Sequence, residues 1–569
     1  MLLRIQIGAV LGAVVLGLAG CAVPSASHRG AASSKAAEGA QSGPADDYSP
    51  AAVDARTTAH AHYTAAILFA LDDQPEQAAD EFFNAAMADL SNDSLTVEVS
   101  SRLLLELKKT DRAIELLTNA TARAGASGAV YAWLGLAYAM VGKRDLAIEA
   151  NRKAIKKNPE QFAGYRHLVR LYIQNKQPDQ AMNVLDEAAR QPKADAAYLI
   201  ELAETYGTLS QRPGRTDEVK TRALEALKRA AALKPTSPGL LRRMAVGFFE
   251  FGAPERAAEI LAPLVEQLPQ VPGLREQLVE VLMLTEDRTN AIKHLRILAG
   301  EHPGNPQVNF VLGQLLREDR KPKEALGYLQ NALRLTAGAE SIYFYELALA
   351  QIDADESKAA LETLDKARKR FPQAFFCEFY SAVACSRMKD YTNALKFFTA
   401  AEIIARAKDT NLLTHGFFFQ LGAAYERNHK FKEAETYFRK SLELTPDFAE
   451  ALNYLGYMWA ERGENLKEAH EMIEKAVKLE PGNAAFLDSL GWVLFRLDQP
   501  QAALKWIQKA IEHAEEPDAT LFDHLGDIFA ALKKQEQARE AWQRAYAIEP
   551  SDEIQRKLNA VTTPGEAPR

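Results

Sequence analysis

Cysteine is scarce here, with three among 569 residues. Cys21 ends an apolar leader, so only Cys377 and Cys385 remain to staple a core. These two lie eight residues apart in a stretch with helical periodicity. On a helix that is about 12 Å, whereas a disulfide needs Cα atoms within about 7 Å. The fold must therefore rest on packing. Also missing are a glycine-rich phosphate loop, a GxSxG elbow, HExxH and paired CxxC. HEMIE, from His470 to Glu474, begins like a zinc motif but carries Glu474 where the second histidine belongs. His60 and His62 are two apart, so on a helix they diverge and cannot share a metal. Carboxylates are plentiful, yet none is set against another as acid–base catalysis requires. The expectation is a non-enzyme with no cofactor and no metal. A basic face is lacking as well. Net charge is −8, and the densest cationic run, DKARKRF (Asp365–Phe371), reads as a helix C-terminus whose cations favour the dipole. Nucleic acid, which demands a positive footprint, is not an expected partner.

What is present starts at the N-terminus. Met1–Arg4 is short and positive, Ile5–Leu18 is apolar, and the run ends in LAGC (Leu18, Ala19, Gly20, Cys21). This is the layout of a secretory signal and is short for a membrane span. LAGC resembles the bacterial lipobox, which implies cleavage before Cys21 and lipidation of that cysteine. The alternative is an uncleaved apolar anchor, which also places the chain at a membrane. In the sorting pattern of Gram-negative lipoproteins, Ala22 in place of Asp implies the outer membrane. The Ala/Ser/Gly/Pro-rich segment that follows cannot bury a core and reads as a tether. About 35 such residues reach on the order of 30 Å.

The rest of the chain repeats. Ala129–Glu160 contains Tyr131, Leu134, Gly135, Tyr138, Ala147, Ala154 and Pro159; His415–Phe448 contains Phe418, Leu421, Gly422, Tyr425, Ala434, Phe438 and Pro446. Steps of mostly 34 or 35 residues carry one alanine from Ala78 through Ala113, Ala147, Ala181, Ala223, Ala257 and Ala291. The series continues through Ala325, Ala360, Ala394, Ala434, Ala469, Ala503 and Ala538. Small residues let two helices approach, large ones fill the gaps between pairs, and a closing proline stops the second helix. The pattern resembles the tetratricopeptide repeat. The expected fold is all-α, a superhelical solenoid of about fourteen helix-turn-helix units from 58 to 552. It is preceded by a signal peptide (1–20) and a lipid-anchored tether (21–57), and followed by a capping helix and disordered tail (553–569). Extra residues within 209–221 (around Pro213 and Gly214), near 406–414 and near 463–466 lengthen the period. They read either as plain loop extensions or as turns that touch a partner.

The resemblance implies a concave groove lined by the first helix of each unit. Its positions fall on Asn453, Tyr454 and Tyr457, then Asp488, Ser489, Trp492, Phe495 and Arg496, then Asp523, His524 and Asp527. Exposed rings beside fixed polar groups make a recognition surface. The competing reading is that Tyr457 and Trp492 stack on each other and stiffen the array. The carboxylates there favour cationic or amide-rich segments over a free carboxylate. Ala451–Leu497, with the lipobox and tether, is similar to the large tetratricopeptide lipoproteins of the bacterial outer membrane. The best understood of these is the lipoprotein adaptor of a periplasmic carboxyl-terminal processing protease. That resemblance implies a scaffold presenting cell-wall hydrolases to the protease, anchored in the outer membrane and facing the periplasm. A scaffold for envelope assembly, in polysaccharide export or pilus and secretin biogenesis, is the alternative.

Overall fold

A computed structural model describes residues 49–210, 216–516 and 518–560. The leader with Cys21, the tether up to residue 48 and the tail from residue 561 lie outside the described residues. The described residues hold helices and no strands. The helices pair into fourteen antiparallel hairpins, from Pro50–Leu71 with Pro75–Ala88 to Ala519–Ala531 with Gln535–Ile548. A final helix, Asp552–Ala560, follows. By its contacts the chain divides into two compact units, one through Leu298 and one from Ala299.

The fourteen phased alanines explain the period. Every one, from Ala78 to Ala538, has 0% exposure. Each lies where the two helices of a hairpin approach, and no larger side chain fits without displacing one of them. The glycine twelve residues earlier plays the facing part in several hairpins. A Cβ on Gly491 would come within 2.6 Å of Ile507, and one on Gly526 within 2.4 Å of Trp542. The turn between the helices is equally regular. Its residue five places before the alanine is left-handed, as glycine at Gly142 and Gly252 but as Asp498 (φ 60°) and Lys533 (φ 59°) elsewhere. That conformation is costly for a residue with a Cβ, so most hairpins carry modest backbone strain at this point.

Two boundaries differ from the sequence reading. The first helix begins at Pro50 rather than 58, because Ser49 caps it by accepting the Ala52 amide at 3.3 Å and Pro50 fits its first turn. The six residues added near 406–414 do not form a long turn. They lengthen the helix Tyr391–Lys408 to 18 residues, followed by the short 3-10 turn Thr410–Leu412. Two smaller expectations hold. Arg368, Lys369 and Arg370 occupy the last turn of the helix Ser357–Arg370, and Cys377 and Cys385 are free and buried.

Candidate functional site

Within the second unit the first helices of successive hairpins run side by side. Between Ala449–Arg462, Ala484–Arg496 and the turn before Ala519–Ala531 lies an open cavity of about 860 Å³. Of the eleven positions expected in the groove, Asn453, Tyr454, Tyr457, Asp488 and Ser489 line it. Tyr454 meets Phe419 edge-on at 5.2 Å, which fixes its ring. Burial, with Glu461 and then Asp488 nearby, pushes the Tyr457 phenol well above its ordinary range, so it stays protonated.

Trp492 does not present an exposed ring. It is only 8% exposed, because His524 of the next first helix lies flat on it at 4.0 Å and Phe495 stacks on it at 5.1 Å. The ring fills the space between adjacent hairpins, and its indole N–H has no acceptor. Nor does Trp492 stack on Tyr457; both rings approach His524 instead, Tyr457 at 6.4 Å. Arg496 spans back to the preceding hairpin, donating to the Glu461 carbonyl at 2.8 Å with its guanidinium 5.9 Å from the Trp492 ring. Trp492, Phe495 and Arg496 thus brace the stack.

The expected acidic stripe is also spoken for. Asp488 and His524 form a buried pair at 2.8 Å. Burial pulls the His524 pKa down, but the Asp488 carboxylate outweighs it and the net shift is upward. Asp523 and Asp527 both receive Lys557 of the final helix, at 2.8 Å each. Asp527 also accepts the Trp542 indole at 3.1 Å. These three aspartates, read from the sequence as favouring cationic or amide-rich segments, each already meet a basic side chain of this chain: Asp488 meets His524, and Asp523 and Asp527 meet Lys557. Sequence reasoning missed Lys557, although it stands 34 residues after Asp523 and so continues the same stripe by one period.

Family profiles described as tetratricopeptide repeats match residues 100–162, 278–340 and 462–520, with others at 140–202 and 416–448. The chain is a tetratricopeptide-repeat solenoid. No curated protein sequence matches it. Among solved structures, it resembles a chain of the APC/C hetero-tetramer Cut9–Hcn1, at 15% identity over 84% of this chain and 97% of that one, with a TM-score of 0.39. A tetratricopeptide repeat protein from Parabacteroides merdae shares 18% identity over 45% and 98%, with a TM-score of 0.37. Yeast Tom70 shares 14% over 83% and 95%, with a TM-score of 0.34. Superpositions this loose carry no argument about ligand or curvature. Solenoids of this repeat bind other proteins, and no catalytic family matches.

Proposed function

We propose that this solenoid is a non-catalytic adaptor, held at the outer membrane through lipidated Cys21 and facing the periplasm, that recruits a carboxyl-terminal processing protease and its substrates. The observation that carries the protein-binding part is the open cavity on the first-helix side of the second unit, walled by Tyr454 and Tyr457 beside carboxylates. Rings supply area at little entropic cost and polar groups set orientation, which is how a recognition surface is composed. The membrane part rests on LAGC and the tether after it.

The test is a crosslinking pull-down from envelopes, comparing the native chain with Tyr454→Ala plus Tyr457→Ala. A serine protease captured by the native chain and lost from the variant, with helicity unchanged, supports the adaptor. Capture of outer-membrane channel proteins instead would favour the envelope-assembly role, and a chain that takes up no labelled palmitate would remove the anchor.

A further inference from the structure

We propose that the cavity of the second unit holds an extended segment of a partner through a lysine or arginine side chain, an inference that rests on the protein-binding reading and names its ligand chemistry. The wall is unevenly charged. Glu426, Glu461, Asp488, Glu515, Glu516 and Asp518 line it, against the cations of Arg427 and Arg462. Arg427 is taken by its neighbour Glu426 at 3.4 Å, and Arg462 by Glu464, outside the cavity, at 2.6 Å. Asp488 is already held from behind by His524. Glu515 and Glu516 stand exposed at the mouth, in the turn after the helix Pro500–His513. A cavity that keeps such an excess of carboxylates repels anions and draws cations.

The second observation is independent of charge. Asn453 is 7% exposed, lines the cavity, and its buried amide oxygen has no hydrogen-bond donor. A buried polar atom left unpaired costs free energy that a ligand N–H would recover. A side-chain amide matches the donor and acceptor of a peptide group, so Asn453 suits the partner's backbone. The Tyr454 and Tyr457 rings complete the wall, and ring faces favour an ammonium or guanidinium group. Backbone amide, aromatic wall and acidic mouth together describe an extended segment bearing a basic residue.

The probe is a fluorescein-labelled peptide with four lysines separated by glycines, and its counterpart with glutamine in place of lysine. Anisotropy with the purified full-length chain at low salt should show the lysine peptide binding at least ten-fold more tightly. Glu515→Gln plus Glu516→Gln, at exposed positions where folding is not at stake, should weaken it about five-fold. Asn453→Ala should weaken it further, and it should also weaken the residual binding of the glutamine peptide. Glu433→Gln plus Glu443→Gln, exposed carboxylates outside the cavity wall, should leave affinity unchanged. Equal affinity for both peptides, or an equal loss from the outside pair, overturns the inference. If the envelope pull-down still captures its partner while the lysine peptide fails to bind, only the basic-segment inference falls. If the peptide binds and no envelope protein is captured, the adaptor reading falls and the cavity assignment stands.

Discussion

His167 in the first unit and His524 in the second hold the same place in their repeats, fourteen residues before Ala181 and Ala538. Each sits on a first helix and reaches back to the hairpin before it. His167 finds a backbone carbonyl there, Ala132 at 2.9 Å. His524 finds a carboxylate, Asp488 at 2.8 Å. The consequence is opposite electrostatics at one structural address. Burial, with Arg166 and Arg170 adding to it, pushes His167 down to about 4, whereas Asp488 carries His524 upward against its burial. The contrast extends to the neighbours. First helices of the first unit are linked by solvent-exposed pairs such as Arg166–Glu201 and Arg243–Glu204, which contribute little. Those of the second unit enclose theirs, as in Arg317–Glu346 at 3.2 Å with the carboxylate 1% exposed. One repeat geometry therefore supports either a screened surface network or a buried polar spine.

The largest expected effect breaks that spine. Asp488→Ala leaves a buried imidazole without its acceptor and should destabilise the surrounding hairpins by about 3 kcal/mol, whereas Glu201→Ala should cost below about 1 kcal/mol. Because solenoids open piecewise, hydrogen exchange by segment is the right measurement. Matching losses in both units would dissolve the distinction.

Acidification should separate the histidines next. A histidine lowered on folding supports the fold above its ordinary pKa and loses that support as pH falls towards the folded value. The hairpin of His167 should thus lose about 2 kcal/mol between pH 7 and pH 4, allowing for partial exposure. His167→Gln should flatten that slope. His524 has the other sign: its contribution is full below the ordinary histidine pKa and fades as pH rises through its raised value. Exchange rates with the same pH slope at both sites would contradict the assignment.

Lys557→Met should release the final helix from Asp523 and Asp527, at a cost of about 2 kcal/mol confined to the last hairpin. The Asp527 carboxyl is already raised by burial despite Lys557; without that cation it should titrate higher still, detectable by carboxyl-carbon NMR. The smallest effect concerns both units alike. Lys533→Gly relieves a left-handed residue but loosens the unfolded chain, so the net change should stay below about 1 kcal/mol. A larger shift in thermal unfolding would mean that the turn holds more than local strain.

The repeat was legible because its defining positions are sterically compulsory: an alanine with no exposure cannot drift, so the period survives in the sequence. The left-handed turn residue was invisible for the converse reason. Glycine fills it in only some hairpins, and aspartate or lysine there reads as ordinary surface. The groove was half legible. Periodicity assigns Asn453, Tyr457 and Asp488 to the right face, but it cannot say how closely the next helix approaches. His524 arrives 32 residues after Trp492 and covers it. Glu515 and Glu516 lie between hairpins, where the repeat imposes no pattern.

The lysine on the final helix bears on a different matter, how long such an array is allowed to be. Stacked hairpins have no inherent stopping point, since the far side of each one is shaped to receive another. The nine-residue helix Asp552–Ala560 after the fourteenth hairpin sets a cation on Asp523 and Asp527 of the last first helix. Any added repeat, or the front of a second copy, would have to evict that cation from two carboxylates before gaining a contact. The final helix thus closes over the fourteenth hairpin with a shared cation as well as the apolar contact of Ile554.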